Sequence, residues 1–175
     1  MKSWFVKQMA MYKSYHKDGR NQAMHHIGVP IIVFSILVLL SYTPITLVVG
    51  FHITAATLLL SLLFLFYAFS SLMLGCITAG FYIPFLWVAD YVVRINPSAG
   101  WTIFLITFFG GLVTQFIGHI FERRRPAFMD NAMLVVIAPG FLIAEILFYL
   151  GLEREFKASI DAEGGEKLST ELTQE

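Results

Sequence analysis

Charge is what this sequence has least of. Only 14% of its 175 residues are Asp, Glu, Lys or Arg, against about 25% in an ordinary soluble domain. From Ile27 to Ala89 there is none at all. A bilayer span needs roughly 20 apolar residues, so this stretch alone holds material for more than one crossing. Cysteine is almost missing as well. The single Cys76 excludes an intramolecular disulfide and any Cys-rich metal or iron–sulfur site, and reads as a small packing residue. Neither charge sign is in excess, with 12 basic and 12 acidic residues, so nucleic acid is not a suggested partner. The first twenty residues lack the uninterrupted apolar core and small-residue cleavage site of a secretory signal. The long apolar runs are continuous rather than alternating, which argues against a membrane β-barrel.

What is present is apolar: 57% of the chain, with a mean hydropathy of +0.71. The fold class expected is an all-α, polytopic membrane protein, with an N-terminal amphipathic helix and about five transmembrane helices. Residues 1–152 form one integral membrane domain, and 153–175 a polar tail expected to be partly disordered. In residues 3–16, Phe5, Met9, Tyr12 and His16 share one helical stripe, and the segment reads as an interfacial anchor. Lys17 to Arg20 reads as a turn, with Gly19 stopping one helix and Asn21 capping the next. Spans are expected at 30–49, 53–70, 72–89 and 101–121. Gly50 to His52 reads as a tight connection and Asp90 to Gly100 as a polar loop. Gly110, Gly111 and Gly118 leave room for a neighbouring helix. The last apolar run, Ala132 to Leu152, is interrupted at Ala138-Pro139-Gly140 and reads as one kinked span or two short helices. Basic residues before Ile27 place the N-terminus in the cytoplasm, and four crossings return Arg123, Arg124 and Arg125 to that side.

Chemistry concentrates in QFIGHIFERRRPAFMDN, Gln115 to Asn131. Gln115, His119 and Glu122 are spaced to share a helix face. His16 and His25 lie far upstream, and a turn between them lets both rings face one point. His26, adjacent to His25, diverges from it by about 100° on a helix, so only one of the two is expected at a shared site. His16, His25 and His119 all fall near the cytoplasmic interface. Three imidazoles with a carboxylate from Glu122, Asp130 or Glu145 suit zinc or ferrous iron. The bland alternative is a set of interfacial hydrogen-bonders. Glu145, a carboxylate at membrane depth, marks a paired or functional group, with an arginine of 123–125 as a candidate partner. The arginines themselves are either a positive-inside stop or a binding site for a lipid carboxylate or phosphate. Three functions fit these residues: an oxygen-using metalloenzyme, a zinc-dependent lipid hydrolase, and a non-catalytic lipid-binding membrane scaffold. A transporter fits less well, since no internal repeat is evident. No signal for an oligomeric state is present.

Taken together, these blocks carry a specific resemblance. MYKSYHKDGRNQAMHHIGVP, QFIGHIFERRRPAFMDN and APGFLIAE resemble the iron-dependent 2-hydroxy fatty acid dioxygenases. The founding fungal member of that family acts in phytosphingosine degradation in the endoplasmic reticulum membrane. The matching residues include Tyr15, His16, Asn21, His25, Val29 and Pro30, then Gln115, Gly118, His119, Glu122, Arg124, Arg125, Pro126, Asp130 and Asn131, then Ala138, Pro139 and Glu145. His26 departs from the fungal pattern. The resemblance implies alpha-oxidation: a 2-hydroxy fatty acid reacts with dioxygen and loses one carbon. It implies Fe2+ held by His16, His25 and His119, with Glu122 as a further ligand or orienting group. Asp130 and Asn131 join Glu122 as catalytic candidates. Arg124 and Arg125 become candidates for the substrate carboxylate, and Asn21, Gln115 and Glu145 supporting residues. The implied location is a bacterial inner membrane or the endoplasmic reticulum, among membrane lipid.

Overall fold

The computed structural model describes residues 3–45, 53–123 and 125–172, with side chains up to residue 165. The chain is all-helical, and no named strand occurs among the described residues. The described residues form seven helices, in order α1 (Ser3–Tyr15), α2 (Gly19–Ser41), α3 (Ala55–Ala68), α4 (Leu72–Ile95), α5 (Pro97–Glu122), α6 (Met133–Tyr149) and α7 (Arg154–Leu172). A short 3₁₀ turn, Ala127–Met129, precedes α6.

Their boundaries follow from local chemistry. Asp18 caps α2 by accepting a hydrogen bond from the Arg20 amide, and Thr54 with Thr57 forms a reciprocal capping box on α3. Asn21, expected as the cap, lies inside α2; a carboxylate three residues earlier takes that role. Asp90 to Gly100 is not a loop. α4 runs to Ile95, Asn96 turns the chain and caps α5 through the Ala99 amide, and Pro97 takes the first helical position, where a missing N–H costs nothing. Asp90 and Arg94 pair one turn apart on α4, 3.3 Å between charged atoms. Polar spacing there is thus compatible with a helix.

Among the described residues three helices, α2, α4 and α5, are long and apolar enough to cross a membrane, or four if α6 and part of α7, bent by 115°, form one broken span. The expected count of about five is approximate: α3, the remaining apolar helix, has 14 residues, short of the roughly 20 a crossing needs. The first span starts at Gly19 rather than residue 30, and continues through Pro30. Gly50 to His52, read as a connection, lies outside the described residues.

The α2–α5 seam is the frame for the site. The two helices run antiparallel with their backbones close. A Cβ added at Gly111 would stand 2.6 Å from Ile32 Cγ1, one at Gly28 would stand 2.9 Å from Gln115 Cγ, and one at Gly118 would collide with Asn21 Oδ1. Small residues let transmembrane helices approach and gain dispersion energy where the hydrophobic effect contributes little. Gly110, expected to help, faces open space.

α1 packs its apolar stripe on the protein: Phe5, Met9, Tyr12 and His16 are buried, with the ring of Phe5 packed on Phe66, Tyr67 and Phe156. α7 forms within the polar tail. Phe156 and Ile160, one turn apart on α7, are buried, so the polar sequence hides an apolar stripe that docks on α1.

α6 passes straight through Pro139 as one helix. Proline removes an amide from the ladder and disturbs the turn before it. Tyr67 of α3 repairs this: its hydroxyl donates to the Val136 carbonyl (2.5 Å) and accepts from the Gly140 amide (3.2 Å). Gly140 is needed for this fit, because a Cβ there would lie 2.5 Å from the Tyr67 ring. Gly140→Ala therefore costs about 1–3 kcal/mol from overpacking, read as a lower unfolding midpoint in detergent. Tyr67→Phe restores room for that methyl less well than Tyr67→Leu.

Candidate metal centre

Three elements deliver one imidazole each. His16 follows the last turn of α1, His25 lies two turns into α2, and His119 sits near the end of α5. The turn at Lys17-Asp18 reverses the chain, so that residues nine apart in sequence meet. His16 and His25 bring their Nε2 atoms to 3.3 Å. One ring nitrogen from each of the three histidines lies within 4.8 Å of the others, and all three side chains are buried. His26, as expected for its neighbour, is turned out of this group and meets Glu145 of α6 at 3.5 Å. The partner of Glu145 is thus a histidine, where an arginine of 123–125 was expected.

Hydrogen bonding fixes which atoms face the centre. His16 Nδ1 donates to the Tyr12 carbonyl at 2.8 Å, and His25 Nδ1 to the Asn21 carbonyl at 3.0 Å. A neutral imidazole carries one N–H, so both Nε2 atoms present lone pairs to each other. At 3.3 Å two lone pairs repel unless a proton or cation lies between them. His119 Nδ1 is buried with no hydrogen-bond partner, which costs free energy unless an external ligand meets it. Three neutral nitrogen donors converging in a buried space fit Zn2+ or Fe2+.

Around this core sits a supporting layer. The ring of Tyr12 stacks on His16 with centroids 4.2 Å apart. Gln22 Nε2 donates to the His16 carbonyl at 2.8 Å. Glu122, one turn past His119, accepts from the Lys17 amide (2.9 Å), the Asp18 amide (3.1 Å) and Asn21 Nδ2 (2.8 Å). It ties the end of α5 to the turn that carries His16 and to the start of α2. Asp130 accepts from the Tyr15 hydroxyl at 2.8 Å, and Asn131 Nδ2 donates to Gln8 Oε1 at 2.7 Å. These two hold the 3₁₀ segment against α1 rather than entering the histidine group. Gln22 is not singled out by the sequence, and Tyr12 is legible there only as part of the α1 stripe; its place four residues before His16 is the signal for its contact with that ring.

Two cavities meet at His16. One, of about 330 Å³, is walled by His16, His25, Gln115 and His119 and then by aliphatic side chains of α2, α3, α5 and α6. The other, about 1110 Å³ and polar, is lined by Lys13, Lys17, Arg123 and Arg125 together with Tyr15, Asp130 and Asp161. Lys13 is paired with Asp161 at 2.6 Å. Arg124 lies outside the described residues.

Burial holds the His16 pKa below the ordinary imidazole value, against the opposing pull of the Tyr12 carbonyl and of Glu122. A histidine whose pKa is lowered by folding favours the folded state least when the unfolded chain takes up a proton that the folded chain refuses. The metal-free protein should therefore hold constant stability above the unfolded pKa of about 6.5 and lose stability as pH falls through it. Thermal unfolding of the metal-free protein across that range checks this; His16→Gln should flatten the decline.

A family model described as "2-hydroxy-palmitic acid dioxygenase Mpo1-like" matches residues 2–150. The Saccharomyces cerevisiae protein named 2-hydroxy-palmitic acid dioxygenase MPO1 is 35% identical over 157 residues, covering 88% of this chain and 86% of its own length. No solved structure gives a significant match. On a match that runs from the first helix through α6 and takes in all three histidines, the chain belongs to the Mpo1-like family.

Proposed function

We propose that this protein is an Fe(II)-dependent dioxygenase that shortens 2-hydroxy fatty acids by one carbon, working at a membrane interface. The observation that carries the reading is the position of the histidine group, on a wall shared by an apolar cavity and a cationic basin. An amphiphile whose polar end bears a carboxylate and a neighbouring hydroxyl matches that arrangement. Its tail belongs in the apolar cavity, its carboxylate beside Arg125, Arg123 and Lys17, and its C1–C2 end at the histidines. Arg124, adjacent in sequence, is a further candidate for the carboxylate.

When bound, Fe2+ would supply a site for dioxygen and for the oxygens of the substrate. His16, His25 and His119 would hold it and leave further positions open. The chain does the rest. The Tyr12 and Asn21 carbonyls fix the tautomers of His16 and His25. Glu122 fixes the approach of α5 to the turn. Aliphatic walls exclude water from the tail side of the centre, and the arginines set the depth of the substrate by holding its head. Basic residues at the triad end of α1, α2 and α5 favour the cytoplasmic face, of a bacterial inner membrane or an endoplasmic reticulum.

Elemental analysis of protein purified anaerobically in detergent, with oxygen uptake on 2-hydroxy acids, tests the reading. Near-stoichiometric iron with uptake coupled to an acid one carbon shorter is the expected result. Retained zinc with no uptake turns the reading to a lipid hydrolase. No metal after reconstitution with ferrous iron turns it to a lipid-binding scaffold.

A further inference from the structure

The apolar cavity has a length as well as a volume, and that length is fixed by the fold. On α2 its wall carries His25, Val29 and Val33 and ends at Ile36. At about 1.5 Å of rise per residue, Ile36 lies about 16 Å along the helix from His25, room for roughly a dozen extended methylenes. α3 lines the same cavity from the other side with Leu63 and Leu59. It runs antiparallel to α2: the Ala55 amide bonds the Thr43 carbonyl at one end, and Phe66 packs on Phe5 of α1 at the other. Leu59 is therefore the cavity-lining residue of α3 farthest from the histidines, as Ile36 is on α2. Beyond them Leu37, Val38 and Ala56 are fully buried.

We propose that Ile36 and Leu59 form the floor of the tail cavity and set the chain length of the 2-hydroxy acid. This rests on the substrate reading above and adds to it the residues that measure the tail. Head and tail are fixed from opposite ends. The carboxylate is held at the basic basin, so a tail too long for the cavity meets the floor and a shorter one leaves apolar wall uncovered. Each methylene that gains or loses its place is worth about 0.8 kcal/mol, about a fourfold change in affinity.

The test uses the full-length protein in detergent and a series of saturated 2-hydroxy acids of increasing length. Displacement of a fluorescent fatty acid from the metal-free protein gives affinity, and turnover of the iron-loaded protein gives kcat/KM. Wild type should show an optimum, with a loss of about fourfold per added methylene past it. Ile36→Phe and Leu59→Phe should each move the optimum to shorter acids in both measurements. Ile36→Ala, which adds no bulk, should move it to longer ones. An unchanged optimum in all three variants, or affinity in the wild type that does not vary with length, overturns the assignment of the floor. Failure of the wild type to bind any member of the series overturns the substrate reading instead.

Discussion

If the triad holds iron as proposed, His119→Ala should remove the metal and with it turnover of 2-hydroxy acids. His119 is the one member of the group delivered by α5, and its approach depends on Gly118 allowing α2 to close in. Its Nδ1 is buried without a partner, so in the metal-free protein it is a liability of about 1–3 kcal/mol. Two effects then separate. Metal affinity should fall by more than the 10- to 100-fold typical for loss of a supporting partner, because a donor itself is gone. Stability of the metal-free protein should change little, since the lost packing is offset by removal of an unsatisfied nitrogen. The stabilisation that iron gives the wild type should disappear in the variant. Elemental content and unfolding midpoints, each with and without ferrous iron, check both effects. A variant that keeps full iron would show that the other histidines suffice, and a metal-free variant that still consumes oxygen with 2-hydroxy acids would sink the assignment of an iron centre.

Much of this site was legible before the fold was known, for a physical reason. Membrane segments offer few polar residues, so those that occur stand out. His16, His25 and His119 could be grouped because the Lys17-Asp18 turn and the topology of the basic residues pointed the same way. The adjacent His25 and His26 were separable by helical geometry alone. The roles of the acidic residues were less readable. Glu122, at i+3 from His119, shares its face, but spacing does not tell whether a carboxylate ends on a metal or on backbone amides. The partner of Glu145 depended on how α6 passes α2, which hydropathy does not encode. Polar composition hid helix at Asp90 to Gly100 and in the first turns after Glu153. In both segments helical pairing at four-residue spacing, Asp90 with Arg94 and Phe156 with Ile160, was present in the sequence and outweighed composition. α3 is shorter than the apolar run at 53–70 because the Thr54 cap begins it and Phe69 closes it, boundaries that hydropathy does not encode.

Glu122→Ala should damage the centre through geometry rather than through coordination. The carboxylate gathers the amides of Lys17 and Asp18 and the Asn21 side chain, donors at the start of α2, where the helix dipole also favours a negative group. Removing it leaves those donors to find water and frees the turn that positions His16. Because the group is half-buried, the expected loss is about 2–3 kcal/mol of stability, with a 10- to 100-fold loss of iron affinity, the usual cost of losing an outer partner. Glu122→Gln separates this from direct ligation. Glutamine keeps one acceptor oxygen for the amides but is a far poorer metal ligand. If Glu122 is a clamp, the Gln variant should recover most of the stability and most of the iron affinity. If the carboxylate bound iron, Gln would be as defective as Ala in iron titrations while still restoring the unfolding midpoint. Iron titration alongside thermal unfolding of the two variants therefore decides between the roles. The hydrogen bonds favour the clamp, because both carboxylate oxygens already accept from the turn and from α2.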